Sequence, residues 1–124
     1  MKDFTIILED RPGILADIGE TLGNAKVNIE GICGIPCGEK GIIHIVVEDH
    51  VATRQALEKA GFTIEAERDI LILDIEAIVG KPGKGGQVLR KLANVGVNIN
   101  LFYMAEKNRV VLGVDNLEKA LYVL

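Results

Sequence analysis

The stretch Leu8-Glu9-Asp10-Arg11-Pro12-Gly13-Ile14-Leu15 decides the fold, because its Pro-Gly pair returns 70 residues later as Pro82-Gly83 and brings a whole unit with it. At the same shift Leu22 meets Leu92, Asn24 meets Asn94, and Val27-Asn28-Ile29 meets Val97-Asn98-Ile99. That makes seven identities over residues 12–29 without a gap, where chance at background frequencies gives about one. The chain therefore reads as two copies of one module, residues 2–70 and 71–124. No Ser/Gly linker separates them, so the copies are expected to pack rigidly.

Working outward from the Pro-Gly pair, Phe4, Ile6 and Leu8 alternate with Thr5 and Glu9, the pattern of a half-buried strand. Downstream, Ile14, Ile18, Leu22 and Ala25 recur at helical spacing, which predicts a helix of three turns with one apolar stripe. Val27-Asn28-Ile29 is expected to start a second strand, and residues 34–41 to form a loop. The β-branched run 42–47, apolar on both faces, predicts a central strand. Asp49 is placed to cap a second helix that Gly61 ends, and residues 62–67 supply a fourth strand. The order βαββαβ is the ferredoxin-like arrangement, an α+β fold with helices on one face of an antiparallel sheet. In copy two a strand over 71–79, a helix over 84–94, strands over 97–102 and 109–114, and a helix over 116–123 follow in order. The last strand of the module is missing. Leu8 aligns with Ile78 but Ile6 with Glu76, so the inward parity of the first strand slips, and a bulge or longer loop must absorb it.

Composition narrows the function. Of 124 residues, 48% are apolar and 26% charged, enough for a packed core, and the net charge is −4. An acidic chain with 4% aromatics and no Trp offers neither a basic footprint nor a stacking platform for nucleic acid. Serine is absent, which excludes serine nucleophiles. No signal peptide and no membrane-length apolar run is read, which implies a soluble, cytoplasmic protein without a membrane partner.

Leu8 to Leu15 in the order quoted, an amphipathic helix, then Lys26-Val27-Asn28-Ile29-Glu30-Gly31, resembles the ACT domain. Two in tandem resemble small stand-alone ACT proteins, with Gly80-Lys81-Pro82-Gly83 and Gly96-Val97-Asn98-Ile99-Asn100 in the matching places of copy two. The resemblance implies two βαββαβ regulatory modules, the second lacking its last strand, that bind an amino acid or similar small ligand where two modules meet. The implied contacts are Asp10, Arg11, Pro12, Gly13, Asn28 and Ile29, and in copy two Lys81, Pro82, Gly83, Asn98 and Ile99. It also implies a homodimer or higher homo-oligomer and a regulated enzyme or regulator as partner.

The residues fit that reading on their own terms. Proline presets φ at a helix start, glycine admits close backbone approach, and the amides near Gly13, Ile14 and Leu15 lack intrahelical acceptors, so a carboxylate can sit there. Asp10 can accept from an ammonium, and Asn28 offers both donor and acceptor. The alternative for the same residues is a plain turn at Pro-Gly and a backbone bond closed by Asn28 at a strand entry. The two sites are expected to differ, because copy two replaces Asp10 by Gly80 and surrounds Pro82-Gly83 with Lys81 and Lys84. That copy is expected to take simple anions weakly or to serve as a structural partner.

Other constellations carry less. Cys33 and Cys37 with His44 and His50 lack metal-ligand spacing and read as structural thiols. The run Gly80 to Gly86 lacks the lysine and hydroxyl of a phosphate loop. No catalytic set, cofactor or metal is called for. Two further functions stay open: a small acylphosphatase-like hydrolase on the same fold, using Arg11 and Asn28, and a purely structural oligomerisation module.

Overall fold

The computed structural model describes residues 1–124, which divide into two units, Met1–Asp69 and Ile70–Leu124. Unit one runs β1 (Lys2–Glu9), α1 (Ile14–Asn24), β2 (Gly31–Cys37), β3 (Lys40–Val47), α2 (His50–Lys59) and β4 (Thr63–Asp69). Its strands pair antiparallel in the order β4-β1-β3-β2. Phe4, Ile6 and Leu8 of β1 face the same side as Ile43, Ile45 and Val47 of β3, and Ile18, Leu22 and Leu57 from the two helices close over them. The helical stripe and the alternating strand thus meet in one core, and β3 is central as its two apolar faces predict. Asp49 caps α2 through Oδ1, which accepts from the Ala52 amide at 3.0 Å, and Gly61 sits just past the helix with φ +84°.

Three expectations need correction. Residues 34–41, read as a loop, are mostly strand: β2 reaches Cys37, and a tight turn at residues 38–39 leads into β3. Val27 to Ile29, read as strand, precede it. Val27 N–H instead donates to the Leu22 carbonyl at 2.9 Å, so these residues finish the helix-ending turn. In copy two the first strand is short, ending at Asp74 rather than residue 79.

Unit two runs β5 (Leu71–Asp74), α3 (Lys84–Asn94), β6 (Ile99–Ala105), β7 (Arg109–Val114) and α4 (Leu117–Val123), with strand order β6-β7-β5. After β5 a 3-10 turn at Glu76–Ile78 forms, and the Asp74 carboxylate accepts from the Glu76 amide at 2.9 Å. That turn absorbs the parity slip between Ile6 and Glu76. Asn116 caps α4 by accepting from the Lys119 amide at 2.9 Å, and Leu71, Leu92, Val97, Val110, Leu112 and Ala120 form a second core. The fold is α+β, two βαββαβ-type modules, the second without its last strand.

Candidate functional site

The two Pro-Gly loops have one geometry. Ile14 N–H donates to the Arg11 carbonyl and Asp17 N–H to the Gly13 carbonyl. In the second unit Lys84 N–H donates to Lys81 and Gln87 N–H to Gly83. Gly13 and Gly83 stand at φ +89° and +80°, a left-handed conformation that glycine adopts without cost. No side chain caps either helix. The Ile14 amide is consumed inside the loop, and at the start of α1 the amides of Leu15 and Ala16 have no intrahelical acceptor.

Around the first loop a groove of about 600 Å³ opens between the start of α1 and strands β2 and β3. Asp10, Arg11, Gly13, Ile14 and Leu15 line one side. Glu9 and Ala16 join them, and Leu8, Ile32, Gly34, Ile35, Pro36, Gly41 and Ile43 line the rest. Leu15, Ile32 and Ile35 are each about half exposed although large and apolar. The floor of this groove is not apparent from local sequence, because residues 34–41 read as a loop. The shift-70 alignment held the signal: Ile32 and Gly34 meet Phe102 and Met104.

Charges at the groove mouth are unequal. The Arg11 guanidinium donates to Asp17 Oδ2 at 2.7 Å and to the Pro12 carbonyl at 3.2 Å, with Glu9 at 4.0 Å, so its charge is answered within the chain. Asp10 is exposed and takes part in no ion pair or hydrogen bond. The mouth thus offers an approaching cation the exposed Asp10 and Glu9 carboxylates, and an approaching anion the backbone amides beside an Arg11 that is already engaged.

Asn28 and Ile29 lie elsewhere. Glu9 pairs with Lys40 at one end of β3, whereas Gly31, just after Asn28, pairs with Val46 near the other end, about 20 Å away at strand rise. Ile29 packs on the core of unit one and Ile99 on that of unit two. Asn98 closes its backbone on Asp115: its amide donates to Asp115 Oδ1 and its carbonyl accepts from the Asp115 amide. Lys81, Pro82 and Gly83 are exposed. A cavity of unit two lies between α3 and Asn98-Ile99, away from that loop. The same separation removes the Arg11–Asn28 pairing that a hydrolase would need. Cys33 stands across from His44, whose Nδ1 lies 3.0 Å from the buried Asp3 carboxylate, and Cys37 stands across from Lys40.

A comparison with protein families fits this geometry. Residues 4–61 match the ACT domain. The ACT match begins in β1, includes the Pro-Gly loop and the whole groove, and stops before β4. Among solved structures, a protein from Bacteroides thetaiotaomicron is 27% identical at a TM-score of 0.84, over 99% of this chain and 85% of that one. The ligand-free regulatory subunit of aspartate kinase from Thermus thermophilus is 20% identical at a TM-score of 0.76, over 99% and 87%. The Thermus flavus regulatory subunit of aspartate kinase is 20% identical at a TM-score of 0.62, over 98% and 88%. No curated protein matches the chain. No helix is long and apolar enough to cross a membrane.

Proposed function

We propose that the chain is a non-catalytic regulatory protein whose first ACT unit binds a free amino acid at the Asp10 to Leu15 loop. The observation that carries this reading is the groove at that loop, with an unpaired carboxylate on its rim and the uncapped amides of Leu15 and Ala16 beside it. An α-amino acid carries both complementary charges on one carbon, so it satisfies both groups at once. The ACT match over residues 4–61 and the likeness to regulatory folds support the reading. Division into two modules, residues 2–70 and 71–124, belongs to the same proposal. So does a working homo-oligomer in which Asn28 and Ile29 of one module approach the loop of another, since within one unit they lie at opposite ends of the sheet. Ligand-dependent assembly or affinity for a regulated enzyme is then the output.

Thermal-shift screening of the purified chain against the free amino acids tests this. A ligand that binds only the folded state raises the midpoint, by about 2.7 kcal/mol of added stability at a hundred times its Kd. A flat response to every amino acid at millimolar concentration overturns the reading.

A further inference from the structure

Resting on that binding site, we infer that its ligand is an amino acid with an apolar side chain, aliphatic or aromatic, and that Gly34 is the residue that makes room for it. Leu8, Ile32, Pro36 and Ile43 floor the groove and offer no side-chain partner to a polar ligand group, while the charged residues that line it, Glu9, Asp10 and Arg11, belong to the loop at its rim. A ligand side-chain charge laid on that floor, as with aspartate or lysine, loses water and gains no partner from it, which is costly. An aliphatic chain gains by covering Ile32 and Leu15, which are otherwise half exposed. Charge at the rim selects for the backbone of the ligand rather than its side chain: Asp10 takes the ammonium, and Arg11 is already engaged by Asp17. The space itself comes from glycine. Gly34 pairs with Ile43, and a Cβ built on it meets Ile43 Cγ1 at 3.4 Å, so a longer side chain there is accommodated by the backbone and extends over the groove floor. Unit two differs at this position: where unit one has Gly34 paired with Ile43, it has Met104 paired with Val110.

The test is titration calorimetry of the full chain with leucine, isoleucine, valine, methionine and phenylalanine against threonine, aspartate and lysine, on wild type, Gly34→Met and Leu15→Ser. Binding of apolar members that Gly34→Met weakens about tenfold or more, with Leu15→Ser weakening it several-fold, is the expected result. Leu15 is exposed on a helix, so the second variant keeps the test valid should Gly34→Met misfold, which circular dichroism reports. Binding confined to threonine, aspartate or lysine and abolished by Asp10→Asn overturns the apolar assignment and leaves the site. Absence of binding by any amino acid overturns the site and the assignment together. Apolar ligands bound equally by both variants place the ligand outside the groove and overturn the inference. A change of sedimentation mass in Gly34→Met, without amino-acid binding in wild type, assigns the groove to contact between copies and also overturns it.

Discussion

At the scale of single residues, the two copies make the same helix ending with different chemistry. After α1, Lys26 stands at φ +59° with its amide donating to Gly23, and after α3, Gly96 stands at +76° with its amide donating to Ala93. A side chain in the left-handed region clashes with its own backbone, and glycine does not. Lys26→Gly is therefore expected to stabilise the chain by about 0.5–1 kcal/mol after the looser unfolded chain is allowed for, read as a raised urea midpoint. Gly96→Ala should move it the other way by a similar amount. Asp10 is the opposite kind of residue, exposed and unpaired, with nothing in the fold that depends on it. Asp10→Asn should leave the urea midpoint within about 0.5 kcal/mol of wild type yet weaken amino-acid binding about 3- to 10-fold, because only the ligand ammonium uses that charge. A Gly13→Asp variant lacks this clarity: φ +89° strains any side chain there, so affinity and stability fall together.

Between elements, α2 is tied to β4 by a two-pronged ion pair: Arg54 Nε donates to Glu67 Oε2 at 2.9 Å, and its terminal nitrogen donates to Oε1 at 2.7 Å. The hydrogen bond from Arg54 holds the Glu67 carboxyl below its ordinary value of 4.5, against the opposing pull of burial. A depressed folded-state value means that the unfolded chain takes up the proton first. The pair's contribution is present above pH 4.5 and is lost as pH falls through the lower, folded value. Glu67→Gln should accordingly destabilise the chain near neutrality, and its deficit against wild type should shrink on acidification, in urea midpoints taken across that range. Elements were unevenly legible in the sequence. The helices were plain because Ile18, Leu22 and Leu92 recur at a period that only a helix can bury on one side. Strand β2 was not, because Gly34 and Pro36 carry turn chemistry, and pairing with β3 rather than local preference holds them extended. Val27 to Ile29 failed in reverse, being β-branched around a helix-ending turn. For the same reason the loop of the site was readable and the groove was not: its floor depends on a missing side chain at Gly34, which has meaning only once Ile43 is known to lie opposite.

Across the whole molecule, a repeated sequence has kept its architecture while the residues around its loops have diverged. The two Pro-Gly loops share hydrogen bonds and glycine conformation, so the loop fold is retained whether or not a ligand sits there. What differs is everything around it. Unit one has carboxylates at Glu9, Asp10 and Asp17 and a glycine at the groove floor. Unit two has Val79, Gly80 and Gln87 in those places, Lys81 and Lys84 beside the turn, and Met104 for Gly34. Lysines that exposed act through salt-screened fields within about 8 Å, too weak on their own to fix a small zwitterion. One amino acid per chain is therefore the expected stoichiometry, from titration calorimetry at known protein concentration. Asp10→Asn should lower its affinity while the count stays one, and Lys81→Ala should change neither. Two equal sites per chain, both indifferent to Asp10→Asn, would mean that the conserved loop geometry alone binds the ligand and that the groove of unit one has no part in it.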